Sequence, residues 1–372
     1  MISKLKVHYW NLSGYVNIKP ETKKFLLEKI LQQSSINAFS KRLKTSVVSL
    51  NYFLKNKDSF TRINNLLDIL SKLKIFRLKI ESDIIAYRDT SSKGPFFIKF
   101  PYYLSPVDVR IGGVLIGDGN ISKSTNLMRW IQKDPTPLKN LIKVRLGKNE
   151  DFKIKNSQIV IPAFFGKILC YSLDLELNSL ASEKFIERVI KLPKDYCLAL
   201  LIALIEDEGN IDSKNYGCIN IRMSSKEIIT AIKKLCDSLN YKSSQIRSYY
   251  NNGYLGDNLM YKLTILSDGI KKLGYDLSKL EKKYGKEIGF WKKREQFIRR
   301  FETCTNKKAE KDRGGRKIHE KIASLFIENI NLSSLQISNL LKIDYNRTYD
   351  LVKNMSKRGE IKRVEKGIYT KS

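Results

Sequence analysis

LIALIEDEGNI, Leu201–Ile211, is an apolar run that ends abruptly in three acids and a glycine. Carboxylates in the last turn of a helix face the negative end of its dipole and are disfavoured there. Taken alone, the acids could simply mark a helix leaving the core for solvent. A second stretch, IGGVLIGDGNI, Ile111–Ile121, ends in the same way. Asp118-Gly119-Asn120-Ile121 and Glu208-Gly209-Asn210-Ile211 share the order acid-Gly-Asn-Ile, and positions 118 and 208 are 90 residues apart. A recurrence at that distance calls for a search for internal duplication.

The duplication extends beyond these motifs. SQIVIPAFFGKILCYSL from Ser157 aligns without a gap on YKLTILSDGIKKLGYDL from Tyr261, matching Ile161 to Ile265, Lys167 to Lys271, Leu169 to Leu273, Tyr171 to Tyr275 and Leu173 to Leu277. The offset there is 104 residues (157 to 261), so the second half carries a longer loop. Within that half, GCINIRMSS alternates like a strand and KEIITAIKKLCDSLNY is apolar at helical spacing. SSQIRSYYNNGYLGDNLMYKLTILS reads as a strand pair around a Gly- and Asn-rich loop. Each half is therefore predicted to run αββαββα. GFWKKREQFIRRF, from Gly289, reads as a basic closing helix.

The flanks have other patterns. SINAFSKRLKTSVVSLNYFLKN, from Ser35, places apolar residues on two helices around a polar turn at Lys44–Ser46, and RINNLLDILSKLKI follows as another helix. A helix-turn-helix and a plain helical bundle both fit this spacing. Gly94, Pro95, Pro101 and Pro106 mark a boundary, and Ser105-Pro106-x-Asp108 is a helix start. TNKKAEKDRGGRK, Thr305–Lys317, reads as a polar linker. Three helices and a basic hairpin follow, in winged-helix order. The expected division is a helical domain at 1–98, two repeats at 99–304 (halves 99–185 and 186–304), a linker at 305–317 and a winged helix at 318–372.

The 372 residues suffice for two or three cored domains. Lys and Arg number 69 against 38 Asp and Glu, a formal net charge of +31, which points to a polyanionic partner, with an anionic membrane surface as the competing one. No apolar run reaches the ~20 residues that span a bilayer, and MISKLKVHYW has no signal-peptide core. Five scattered cysteines without a C-x-x-C pair fit reduced thiols in the cytosol. With only His8 and His319, a His-based zinc site or general base is nearly excluded.

Gly112, Gly113 and Ala203 would let the two motif helices approach closely, bringing Asp118 and Glu208 together. Paired carboxylates repel unless a cation lies between them, and an oxygen-rich two-acid site suits Mg²⁺. In so basic a protein the nearest chemistry is metal-assisted phosphodiester hydrolysis.

Both nine-residue motifs, IGGVLIGDG and LIALIEDEG, resemble the signature of LAGLIDADG homing endonucleases of the two-motif, single-chain type, over roughly residues 100–301. The resemblance implies an α+β fold of tandem pseudo-twofold repeats whose sheets form a DNA-binding β-saddle. It implies Asp118 and Glu208 as catalytic, metal-binding acids, with the carbonyls of Gly117 and Asp207 as neighbouring ligands. It places a basic strand residue near the site, at Lys262 in the second half, where the first half has Gln158. The expected activity is Mg²⁺-dependent cleavage of a long double-stranded DNA site, with Mn²⁺ as a substitute metal, by a cytoplasmic, nucleoid-associated monomer without an obligate protein partner. DNA contacts are expected from Lys123, Arg129, Gln132, Lys133, Arg222, Arg247 and Lys262 on the repeats, and from Arg347 and Arg358 on the winged helix. The added terminal domains depart from the minimal endonuclease. Some transcription regulators resemble such a domain joined to a helix-turn-helix without cleaving, and some family members act as RNA maturases. Both remain alternative expectations.

Overall fold

The computed structural model describes residues 5–371 apart from 90–93, 122–127, 147–153, 156, 176–178, 212–217, 254–255, 306–314, 327–330 and 366. It divides into two compact units, Met1–Phe301 and Glu302–Ser372.

The first unit opens with β1 (Lys6–Val7), β2 (Tyr15–Ile18), α1 (Pro20–Gln33), α2 (Ile36–Leu43), α3 (Val47–Lys55), β3 (Thr61–Arg62), α4 (Ile63–Lys72) and β4 (Ile84–Arg88). The α2–α3 turn has a clear local cause. Lys44 ends α2 in the left-handed region at φ 53°, and the Ser46 hydroxyl accepts from the Ser49 N–H at 3.5 Å to start α3. The helical reading of residues 1–98 needs correction, because an antiparallel sheet of order β3-β2-β4 stands beside these helices. Its strands are two to five residues long, too short for alternation to reveal them in the sequence.

Nor do the compact units part at residue 98. β1 pairs with β5 (Tyr102–Tyr103), Lys167 forms a 2.8 Å ion pair with Asp89, and the Tyr87 ring lies 5.3 Å from that of Phe164. The N-terminal segment is built onto the first repeat.

That repeat follows as α5 (Pro106–Asp118), β6 (Gly119–Ile121), β7 (Met128–Ile131), α6 (Thr136–Leu146), β8 (Ile154–Lys155), β9 (Gln158–Ile161) and α7 (Ala163–Leu173). Asp108 locks the start of α5. Its buried carboxylate accepts from the Ser105 N–H at 2.7 Å and the Tyr102 hydroxyl at 2.6 Å, and pairs with Arg145 at 2.8 Å. An unforeseen helix, α8 (Ser179–Ile190), spans the expected boundary between residues 185 and 186. The second repeat comprises α9 (Lys194–Glu208), β10 (Gly209–Ile211), β11 (Ile219–Met223), α10 (Lys226–Ser238), β12 (Arg247–Gly253), β13 (Gly256–Ile265) and α11 (Ser267–Tyr284). The two sheets have matching orders, β6-β7-β9-β8 and β10-β11-β13-β12. Every residue of α9 from Cys197 to Glu206 is buried. Its fully buried leucines and isoleucines each contribute about 1.5–3 kcal/mol, which fixes α9 as the centre of the unit.

The closing helix α12 (Arg294–Thr305) begins later than the sequence suggested; Gly289–Lys293 is a connection with a separate role. In the second unit, helices Gly315–Leu325, Ser334–Leu341 and Tyr345–Lys357 pack with a three-stranded sheet around Ile322, Phe326, Ile337, Val352 and Tyr369. Residues 315–317 of the expected linker are helical; 306–314 lie outside the described residues.

Candidate nucleic-acid interface

The motif helices α5 and α9 cross where the small residues fall. A Cβ on Gly113 would lie 2.5 Å from that of Ala203, and a Cβ on Gly117 would lie 2.6 Å from that of Asp207. Only glycine fits at either place. Gly113 and Ala203 are equivalent in the two motifs, as are Gly117 and Asp207. Equivalent residues that touch each other lie on a twofold axis, so the duplicated sequence is folded as an internal pseudo-dimer with its axis between α5 and α9.

The three acids that end α9 have different surroundings. Glu206 is fully buried, and its carboxylate accepts from the backbone N–H of Trp291 at 2.9 Å and of Lys293 at 3.3 Å. Asp207 packs against Gly117 on the axis. Glu208, the last residue of α9, is half-buried just before β10. All three act on one ammonium, that of Lys293, whose Nζ donates to the carbonyls of Ile205 at 2.9 Å and Asp207 at 3.4 Å. Burial nonetheless holds Lys293 below its ordinary pKa, against the pull of Glu206. Arg110, fully buried in α5, donates to the carbonyls of Ile288 and Gly289 and lies 4.1 Å from the Trp291 ring centre. Desolvation lowers its pKa to about 10, while Glu206 and Asp207 oppose the shift. The acids are thus tolerated at a helix C-terminus because a lysine and an arginine from elsewhere in the chain supply the compensating charge.

This arrangement bears on the expected metal. The Asp207 carbonyl, one of its anticipated ligands, already accepts from an ammonium. A cation placed there would be repelled by Lys293 and attracted by Glu206, Asp207 and Glu208, the three acids that act on that ammonium. The structure thus places Lys293, which the sequence did not foretell, at one of the expected Mg²⁺ ligands, the Asp207 carbonyl. Among the described residues no cluster of three or more His, Cys, Asp or Glu is placed to hold a metal. The Asp118 side chain lies outside the described residues, and Gly117, in the last turn of α5, packs against Asp207.

The sheets carry the basic residues. In the second, Lys262 of β13 is directly opposite Arg222 of β11 on one side and Arg247 of β12 on the other. Directly paired residues share a face, so three cations form one row across three strands. Arg222 and Arg247 are exposed and Lys262 is half-exposed, and none has an acidic partner among the described residues. Tyr249 lies beside the row, its ring centre 6.0 Å from the Arg222 guanidinium. The corresponding row of the first sheet is Ile131–Gln158–Lys155. The structural registers thus match Gln158 with Lys262, as the sequence alignment did.

Other expected contacts are scattered. Arg129 is exposed on the outer face, opposite Val160. Gln132 has the inward parity of Trp130 and accepts from Lys292 Nζ at 2.8 Å, which removes it from the outer row. Lys133 is exposed beyond the end of β7. Lys123 lies outside the described residues, as does the Arg347 side chain in its helix. Arg358 is exposed and 3.8 Å from Glu360. One group escaped the sequence reading. Tyr15 of β2 is flanked in register by Arg62 of β3 and Arg88 of β4, and both guanidiniums lie near its ring, at 5.9 and 5.2 Å. Only the pairing of strands distant in sequence reveals this second cationic row.

No protein-family profile and no curated protein matches the chain. Among solved structures it is similar to full-length DUF199/WhiA from Thermatoga maritima, at 14% identity and a TM-score of 0.30, over 70% of this chain and 93% of that one. This corrects the homing-endonuclease assignment suggested by the two motifs: no family profile matches, and this solved structure is a DUF199/WhiA protein, not a homing endonuclease. So distant a likeness carries no functional inference.

Proposed function

We propose that this chain is a double-stranded DNA-binding protein of regulatory type that holds DNA without cutting it. The observation that carries the reading is the Arg222–Lys262–Arg247 row. Like charges directly opposite one another destabilise a sheet, and a row without acidic partners is compensated when phosphates lie across it. The net charge of +31 has the same sense. In this reading the outer faces of the two sheets form a DNA-binding saddle. The α2–α3 pair adds contacts, and so does the C-terminal three-helix unit, used as a winged helix. The Lys293 ammonium at the Asp207 carbonyl favours binding over metal-assisted hydrolysis.

The test is selection of end-labelled duplexes from a random library, followed by incubation with Mg²⁺ or Mn²⁺. We expect sequence-specific retention that falls steeply with salt and leaves both strands intact. Cleavage of either strand would refute the non-cutting part. Equal affinity for duplex RNA, or no selectable duplex, would refute the DNA part.

A further inference from the structure

A cleft of about 800 Å³ opens between the start of α6 and residues 286–294, which include the Gly289–Lys293 connection, and none of the residues of the basic rows lines it. That volume falls within the range of small-molecule sites, about 300–1,000 Å³. Its walls are aromatic: Trp130 and Trp291 meet edge to face with ring centres 5.8 Å apart, and Phe290 is buried beside them. The two indoles differ in hydrogen bonding. Trp291 donates to the Glu287 carbonyl at 2.7 Å, whereas the N–H of Trp130, a residue 1% exposed, has no acceptor among the described residues. A buried donor without a partner is costly, and a ligand atom can remove that cost.

The rim is cationic. Lys133, Lys286, Lys292 and Arg294 line the cleft against two acids, Asp134 and Glu287. Asp134 is already used, accepting from the Thr136 N–H at 3.0 Å. Lys292 is bonded to Gln132 and Arg294 to Glu281, while Lys133 and Lys286 are exposed and without an acidic partner among the described residues.

We propose that this cleft binds a small, planar heteroaromatic acid. Its ring lies against Trp291 and Phe290, a ring nitrogen or carbonyl accepts from the Trp130 N–H, and its acid group is held by Lys133 and Lys286. The connection that forms the wall also holds the end of α9, through the Trp291 N–H to Glu206 and Lys293 Nζ to Asp207. An occupant would therefore act on the centre of the duplicated unit. That consequence alone rests on the DNA-binding reading.

The test uses calorimetric titration of the full chain with quinoline-6-carboxylate. Two comparison probes are naphthalene-2-carboxylate, which lacks the ring nitrogen, and quinoline, which lacks the acid. We expect saturable binding of the first, weakened about fivefold without the nitrogen and about tenfold without the acid, the scale of one hydrogen bond and of a paired charge. Trp130→Phe should abolish the first difference, and Lys133→Glu with Lys286→Glu the second. Asn140→Trp, a surface change on α6 that fills the cleft, should abolish binding without disturbing the core. Absence of binding by quinoline-6-carboxylate, or binding indifferent to Asn140→Trp and to the rim reversal, would overturn the proposal. DNA affinity, measured separately with and without the probe, tests only the coupling to α9.

Discussion

The two halves of the duplicated unit share one backbone plan and differ in the charge they carry. Where the first motif ends Ile116-Gly117-Asp118, the second ends Glu206-Asp207-Glu208. Where the first sheet has Ile131 and Gln158 across neighbouring strands, the second has Arg222 and Lys262. The fold needs likeness only at the axis, where equivalent small residues meet. Away from it the halves are free to diverge. The second has acquired a buried acid, a lysine cap and a basic row; the corresponding motif and sheet positions in the first are mostly uncharged. Duplication supplied the frame, and asymmetry supplied what distinguishes one side of the axis from the other.

That comparison is broken most severely at the axis itself. Gly113→Ala puts a methyl 2.5 Å from the Ala203 Cβ, and should cost about 3 kcal/mol, the upper end for overpacking a core. Adding Ala203→Gly exchanges the two residues across the axis and should recover most of the loss, less the cost of glycine within a helix. Denaturant melts of the single and double variants measure both. An additive double variant would mean that these positions do not face each other.

A smaller effect should separate the sheets. Replacing Arg222, Lys262 and Arg247 by alanine should reduce duplex affinity by about a hundredfold and flatten the salt dependence by about three phosphate contacts. Ile131→Ala with Gln158→Ala, at matching places in the first sheet, should change affinity little. Electrophoretic shifts across a salt series would show which sheet carries the load. Equal losses from the two sets would contradict the assignment of binding to the second row.

The sequence made the frame visible because the frame is local. Repeated acid-Gly-Asn-Ile, the small residues in α5 and α9, the turn at Lys44 and the equivalence of Gln158 and Lys262 all rest on short-range pattern, and the structure contains each. The reading lost force where chemistry is assembled from distant segments. Three acids in a row looked like one feature. Glu206 is in fact buried under backbone N–H groups from Trp291 and Lys293, more than eighty positions away. The Arg62–Tyr15–Arg88 row depends on pairing among three short strands, and neither spacing nor alternation carries that information. The homing-endonuclease reading went furthest astray for a related reason. A motif that packs two helices records the packing faithfully, but the cation that compensates the acids comes from another part of the chain.

Lys293 allows the smallest and sharpest test of this asymmetry, since the end of α5 has no such lysine among the described residues. Burial lowers its folded pKa from the ordinary 10.5. Between the folded value and 10.5 the unfolded chain binds more protons than the folded one, so this group makes stability rise with pH across that window. Below the folded pKa both states hold the proton, and the full cost of burying the ammonium persists. Lys293→Met should remove this rising contribution while also removing the donor to the Ile205 and Asp207 carbonyls, so the variant's stability curve should be flatter on the alkaline side. Arg110 also has a lowered pKa, near 10, and remains in the variant as an internal reference. Unfolding midpoints measured from pH 7 to 10.5 decide the matter: parallel curves for wild type and Lys293→Met would mean that the ammonium at the end of α9 is not held in its desolvated position, and the structural distinction between the two motif ends would lose its main support.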